Sequence, residues 1–175
     1  MSRRRTTLVA ALGTAAVLLW RLRPDGEEQP TEPVNEPAAV TRLAAWVPAP
    51  PASAVTRLAG YVWAAPTTAA GLLLGALSAT RPRAHEGALL FTGVGGLAGR
   101  MLRWRGFAAA TLGHVIVAAG EPSERLLRHE LVHVRQAERW GPLFAPLYLA
   151  GLLRYGYRQN PFERAAYHAT RALTD

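Results

Sequence analysis

The sequence predicts an α+β domain in which a short β-sheet or hairpin packs on a long helix and further helices follow. Three observations predict this class. Residues 111–118 (TLGHVIVA) are rich in β-branched side chains and lie beside turn-forming glycines, which is typical of strands. A helical stretch then opens at Pro122-Ser123 and closes at Gly141-Pro142. More apolar helical sequence follows.

The size and charge of the chain limit what it can be. Its 175 residues suffice for one domain and a tail. It has no cysteine, so any metal site must use His, Asp or Glu. The net charge of +8 comes entirely from arginines. Because these arginines are dispersed and no aromatic residues interleave with them, we expect no nucleic-acid partner.

The first 57 residues differ in composition from the rest. Residues 1–23 place an apolar stretch between Arg3–Arg5 and Arg21, which predicts a signal anchor; the alternative is a basic leader. Residues 24–57 are rich in proline and, in their first part, in acidic side chains, which predicts a linker. The anchor predicts a membrane-associated protein, at the bacterial inner membrane.

Residues 58–80 form an uncharged apolar segment long enough to span a bilayer. Two interpretations remain open, a transmembrane helix or a buried core helix that starts near Pro66. The number of spans decides on which side of the membrane the remaining domain lies, so that side also stays open.

Residues 84–175 are the predicted compact domain. Ala88 to Thr92 is a short apolar run that favours a strand, and residues 98–104 fit either a helix or a strand. After the helix that closes at Gly141, a more apolar helix is expected over about 143–153. The last helix is expected to begin at Asn160-Pro161.

The helix before Gly141 contains the motif HExxH, as His129, Glu130 and His133. Residues four apart lie on one face of a helix, so both imidazoles can reach one ion. Such sites hold zinc and leave a position for water. Glu130 lies beside the first ligand and can take a proton from that water, which makes it the candidate general base. The alternative is a helix whose histidines are incidental.

A third zinc ligand has one candidate downstream, Glu163 in NPFERAA. The same residue also fits a capping box, because it stands three positions after Asn160. Helix propensity alone favours the cap, and the residues themselves leave both roles open.

The run HELVHVRQ, followed by WGPL and NPFERAA, resembles the gluzincins, zinc metallopeptidases in which a Glu on a second helix completes HExxH. The closest likeness is to minimal gluzincins, including the peptidase-like core domain associated with extracellular contractile injection systems. The resemblance covers about residues 88–170. It implies a zincin-like fold, one Zn²⁺ ion and a peptide or protein substrate. It assigns the metal to His129, His133 and Glu163, the base to Glu130, and substrate binding to the strand around Gly113 and His114.

Two further points concern residues that would support the metal ligands or stabilise an oxyanion. Ala166 stands where many gluzincins have Asp, so the residue that supports the histidines is left unassigned. Gln136, one turn after His133, is a candidate for that role. Candidates to donate a hydrogen bond to the oxyanion are the tyrosines at 148, 155, 157 and 167.

Two other functions compete with a peptidase. One is a catalytically inactive zinc-binding interaction or assembly module. The other is a dinucleotide-binding turn at Gly93-Val-Gly95-Gly, with Glu121 as a ribose ligand. Too few residues follow Glu121 to complete a dinucleotide fold, so we expect no nucleotide partner.

Overall fold

A computed structural model describes residues 36–171, and its mixture of helices and a small sheet confirms the α+β class. The predicted leader, residues 1–23, lies outside the described residues. The elements are α1 (Ala38–Ala45), α2 (Ala54–Trp63), α3 (Ala65–Ala76), β1 (Arg83–His85), β2 (Ala88–Phe91), α4 (Gly96–Arg105), β3 (Ala109–Leu112), β4 (Val115–Ala118), α5 (Glu124–Trp140), a 3₁₀ turn (Gly141–Leu143), α6 (Phe144–Tyr155) and α7 (Pro161–Thr170).

The sheet has four strands in the order β1-β2-β4-β3, with β2 and β4 parallel and both outer pairs antiparallel. The single strand expected over 111–118 is therefore a hairpin. Leu112 pairs with Val115, so the turn consists of Gly113 and His114 alone. Gly113 has φ +59°, a conformation that two-residue hairpin turns require and that glycine adopts without strain. Among the described residues β3 pairs with β4 alone, so it is an edge strand of the sheet.

Helices cover both faces of the sheet. Side chains alternate along a strand, so β2 and β4 present apolar residues to both sides. On one side Phe91, Val115 and Val117 pack with α4 and with Leu74 of α3. On the other side Leu90 and Ile116 pack with α5. The sheet thus fixes the position of the helix that carries HExxH.

The apolar segment 58–80 is not one helix. It is divided between α2 and α3, which meet at a bend of 71°. Pro66 lies in the first turn of α3, where its missing N–H costs no hydrogen bond. Within residues 36–171 no single helix has the length and composition to cross a membrane, whereas α2 and α3 have them only as a bent pair. The inner face of α3 lies against the sheet, because Gly71 and Gly75 bring its backbone close to Val115 and Phe91.

The linker predicted over 24–57 differs from the structure where it is described. Residues 38–45 form α1, which packs on α7, and α2 begins at Ala54. The side chain of Arg164 donates to Glu36 at 2.7 Å, and both side chains are buried. Leu43 packs on the buried cluster of Phe144 and Phe162. The surrounding prolines predicted a linker, whereas residues 38–45 form an alanine-rich helix. Residues far along the chain cover the apolar face of this helix. The compact unit therefore starts well before residue 84.

Replacement of Gly75 by Ala tests the close packing of α3 on the sheet. A Cβ atom there would lie 2.5 Å from the ring of Phe91. Alanine favours helix over glycine, so a change in propensity alone would stabilise the protein. We expect Gly75→Ala to lower the free energy of unfolding by about 1–3 kcal/mol, the usual cost of overpacking, in urea denaturation. Gly120→Ala is the control, because its Cβ meets nothing within 4 Å; equal effects of the two would contradict this packing.

Candidate metal centre

Helix α5 brings four polar side chains into the interior. It begins where Ser123 accepts a hydrogen bond from the Leu126 amide, and it ends before Gly141. His129, Glu130, His133 and Gln136 are all less than 9% exposed. A buried polar group without a partner destabilises a fold, so these four side chains require partners or a ligand.

Helix α7 supplies the third member of the site. The side chain of Asn160 accepts from the Phe162 amide and so caps the helix, while its amide group donates to the carbonyl of Tyr148. Pro161 fits the first turn. Glu163, only 2% exposed, directs its carboxylate towards α5 and the histidines. Asn160 is thus the cap, and the Glu163 carboxylate contacts two imidazoles and a tyrosine.

The atoms of His129, His133 and Glu163 converge on one point. Nε2 of His129 lies 3.1 Å from Oε2 of Glu163 and 3.2 Å from Nε2 of His133. Nε2 of His133 lies 3.3 Å from Oε1 of Glu163. Among residues 36–171 these three side chains form the one group of His, Asp or Glu with the geometry for a metal ion.

These separations fit zinc. Tetrahedral ligands at about 2.0–2.1 Å from an ion lie about 3.3 Å from one another. The observed separations of 3.1–3.3 Å, which involve both oxygens of Glu163, are close to that value. Two imidazoles and one carboxylate also leave the fourth position of a tetrahedral ion for water.

Gln136 orients His133. Its Nε2 donates to the carbonyl of Phe162 at 3.0 Å, which directs its Oε1 towards Nδ1 of His133 at 2.8 Å. Because that oxygen accepts a hydrogen bond, the proton of a neutral His133 ring resides on Nδ1. Nε2 then presents its lone pair to the point of convergence. Gln136 therefore occupies the supporting role that Ala166 leaves unfilled.

The charges of the site are strongly coupled. Burial by itself lowers the pKa of His133, but the charge and hydrogen bond of Glu163 outweigh it and raise that pKa to about 9. Burial by itself raises the pKa of Glu163, but the charge of His133 and hydrogen bonds from both imidazoles hold it well below its ordinary value. Without metal the group is thus an imidazolium–carboxylate pair at neutral pH, whose proton a bound cation would replace.

The tyrosines named as oxyanion candidates lie in different places. The hydroxyl of Tyr148 donates to Oε1 of Glu163 at 2.5 Å, and burial together with Glu163 raises the Tyr148 pKa well above its usual value. Tyr157 lines the same cavity as Tyr148. The ring of Tyr167 lies edge-on to His129, with centroids 4.7 Å apart. The ring of Tyr155 lies under the guanidinium group of Arg154 instead.

Glu130 has a partner that sequence reasoning did not assign. Oγ1 of Thr111 donates to Oε2 of Glu130 at 2.6 Å. Thr111 lies on β3, paired with Ile116, so the sheet edge positions this carboxylate. The TLG run was noted in the sequence, but a contact between residues 19 apart depends on how β3 lies over α5.

Two cavities meet at Glu130. The larger, of about 430 Å³, is lined by β3, by His133 and Glu163, and by mostly apolar side chains of α6. The second, of about 290 Å³, lies on the side of His129 and Tyr167. Glu130 and Ala109 of β3 line both. An open cleft therefore follows the edge strand and passes the candidate metal centre.

Gly113 and His114 are neighbours in the chain, but they contact different parts of the structure. Gly113 lines the larger cavity. The His114 ring, only 3% exposed, instead contacts Tyr61, Thr68 and Glu138, with Nε2 at 3.1 Å from the Glu138 carboxylate. The structure thus brings His114 together with α2 and α3 rather than with the candidate metal centre.

The glycine-rich turn after β2 packs against α3. The carbonyl of Leu77 lies 3.1 Å from where a Cβ of Gly96 would be, and the Ser78 carbonyl lies beside Gly95. Carbonyl oxygens there repel phosphate, since both carry negative charge. The sheet described also has just one parallel strand pair, β2 and β4, so the dinucleotide interpretation gains no support.

Zinc content tests the role of Glu163 against a matched carboxylate. Glu163→Gln removes a charged ligand and should weaken zinc binding by more than about 100-fold, beyond the usual effect of outer partners. Glu138→Gln removes the other buried carboxylate that contacts a histidine of the fold, and should retain one zinc per chain. Competition with a fluorescent chelator measures both affinities. Equal affinities for the two variants would contradict the assignment.

The orienting role of Gln136 gives a second prediction. Gln136→Leu keeps the volume but removes the acceptor for His133 Nδ1, so zinc affinity should fall by about 10–100-fold. Gln136→Glu restores an acceptor at the same place and should bind zinc more tightly than Gln136→Leu in the same competition assay. If the two variants bind zinc alike, the hydrogen bond does not orient the ligand.

Comparison of the chain with protein families, with curated proteins and with solved structures finds no match. The gluzincin likeness therefore rests on the residues and geometry described above, and what it implies for activity is a proposal.

Proposed function

We propose that the protein is a zinc-dependent metallopeptidase with a zincin-like fold of the gluzincin type. The observation that carries the proposal is the convergence of His129, His133 and Glu163 within 3.1–3.3 Å beside Glu130, in an open cleft. A purely structural metal site would not require an acidic side chain at the junction of two cavities. The position of Glu130 therefore favours the peptidase over the inactive interaction module.

The edge strand β3 provides a way to bind a peptide. Its outer edge pairs with no other strand among the described residues. An extended peptide can add to such an edge through main-chain hydrogen bonds. Because the cleft follows β3 to both sides of Glu130, the scissile bond would lie near the middle of the bound segment. The resemblance implied a peptide-binding edge around Gly113 and His114. Our proposal uses residues 109–112 instead, because these form the outer strand of the sheet.

Glu130 is the proton carrier in this proposal. A bound zinc ion would polarise the attacking water and the scissile carbonyl. The carboxylate of Glu130 takes a proton from that water and then gives it to the leaving amine. Thr111, through its 2.6 Å hydrogen bond, fixes one oxygen of this carboxylate, and Glu130 lines the cleft. Tyr148 donates its one hydroxyl hydrogen to Glu163 and so keeps that carboxylate in place at the wall of the same cleft.

The cavity lining indicates the substrate class. Phe107, Phe144, Leu149 and Leu152 line the larger cavity, and none of these side chains carries a polar group. An apolar side chain bound there is removed from water, which favours binding by roughly 1.5–3 kcal/mol. We therefore expect cleavage next to a large apolar residue.

A peptide library tests the activity through Glu130. Glu130→Gln keeps the shape but removes the proton acceptor, so hydrolysis should fall by at least about 100-fold, the low end of general acid–base contributions. Zinc content should stay at that of the wild type. Full hydrolysis by Glu130→Gln would refute this mechanism, and a wild-type protein that binds zinc but cleaves nothing would support the interaction module.

Thr111 is a positioning residue, and its test separates orientation from structure. Thr111→Val removes the hydroxyl and keeps the shape, so kcat should fall by about 10-fold, as expected when a hydrogen bond to a charged group is lost. KM should change little because the peptide does not contact this hydroxyl. Thr111→Ser restores the donor and should recover most of kcat. A Thr111→Ser variant as slow as Thr111→Val would contradict the role.

A further inference from the structure

The outward sides of α3 and α4 form one apolar surface. Both helices pack inward on the same side of the sheet, through Leu74 of α3 and through Ala98 and Leu102 of α4. They also meet each other, since the Leu77 carbonyl lies beside Gly96. Their outward sides are therefore adjacent. We call this surface the α3–α4 face; its large exposed residues are Leu72, Leu73, Leu77, Leu97, Met101 and Trp104.

The spacing on α4 places its apolar residues on one side. Leu97, Met101 and Trp104 stand at i, i+4 and i+7, and all are at least half exposed. On α3 every exposed residue from Ala69 to Leu77 is alanine or leucine, and Leu73 is 65% exposed. A helix that faces water normally carries polar side chains on that side, and a contiguous apolar patch marks an interaction surface.

The charge around this face is positive. Helix α3 carries no charged residue, and every charged residue of α4 is an arginine. Arg100 and Arg103 lie on α4 among its apolar residues, and Arg81 follows α3 closely; all three are exposed. A second copy of the chain is a poor partner, because face-to-face contact would bring these arginines together. Anionic lipid headgroups beside acyl chains match both the charge and the apolar residues.

We propose that the α3–α4 face docks on the surface of a bilayer that contains anionic lipid. Helix α3 lies on the bilayer rather than across it, because Gly71 and Gly75 hold its inner side against the sheet. The anchor that the sequence predicts over residues 1–23 would bring this face to the same membrane. Thr67 of α3 and Phe107, which follows α4, both line the larger cavity, so the cleft opens beside the docked face. Docking itself does not depend on peptide hydrolysis.

Site-specific fluorescence tests the docking in the full-length chain. The protein has no cysteine, so Leu73→Cys, Met101→Cys and Glu124→Cys each accept a single environment-sensitive label. Glu124 lies on α5, on the opposite side of the sheet, and is the matched control. Each labelled protein is mixed with vesicles of phosphatidylcholine and phosphatidylglycerol that carry a spin-labelled quencher at the level of the upper acyl chain.

Labels at residues 73 and 101 should shift their emission to the blue and lose fluorescence to the quencher, whereas the label at residue 124 should do neither. High salt should weaken both effects, because it screens the attraction of arginines to headgroups. The proposal is overturned if all three labels stay in water, or if all three are quenched alike. A blue shift that grows with protein concentration in the absence of vesicles would assign the face to a second copy. The same effects in vesicles of phosphatidylcholine alone would overturn the requirement for anionic lipid.

Discussion

The carboxylate of Glu163 connects α7 to α5 in the protein interior, and much of the fold serves to keep it there. Two imidazoles on α5 face it at 3.1 and 3.3 Å. Polar groups buried this deeply destabilise a fold unless they satisfy one another or bind a cation. The supporting contacts follow from that constraint: Tyr148 donates to the carboxylate, and Gln136 joins His133 to the first turn of α7. Removal of one member would leave at least one buried polar group with a hydrogen bond fewer, which destabilises the fold.

Helix α5 carries a second histidine–carboxylate contact, and its surroundings differ in a way that explains its different role. Glu138 meets His114 at 3.1 Å, but Arg135 also donates to Glu138, and Thr68 contacts the other side of the His114 ring. Arg135 neutralises the charge of Glu138, and Thr68 occupies the other ring nitrogen of His114. These side chains therefore do not offer three free ligand atoms to one metal ion. This cluster fastens α2, α3 and the β3–β4 turn to α5. Helix α5 thus carries the candidate metal ligands at one place and contacts the apolar helices at another.

The local sequence pattern was sufficient to predict the ends of the long helices and the shared face of the two histidines. Ser123 and Gly141 delimit α5, and Asn160-Pro161 begins α7, because caps and helix breakers act on adjacent residues. The spacing of His129 and His133 follows from helix geometry alone. The role of Glu163 did not follow from its residues, since a capping box has the same spacing. Family likeness proposed the ligand, and the structure shows Asn160 capping the helix while Glu163 faces the histidines.

What the sequence could not predict depends on contacts between distant residues. Helix α1 lies between prolines that predicted a linker, and the pair Glu36 and Arg164, which are 128 residues apart, fastens its start to α7. The hairpin at Gly113 divided a continuous β-rich run, and this changed which strand forms the edge. The contact of Thr111 with Glu130 requires that edge to lie over α5, which no periodicity encodes. Each of these is a matter of tertiary packing rather than of propensity.

The proposed peptidase activity requires that His129, His133 and Glu163 together hold one zinc ion. X-ray absorption at the zinc edge of the full-length protein, loaded with one equivalent of zinc, tests it most directly. We expect four nitrogen and oxygen ligands at about 2.0–2.1 Å from the zinc ion, with outer-shell scattering from two imidazole rings. Scattering from one ring or none, or a shell of six oxygens as in the hydrated ion, would contradict it.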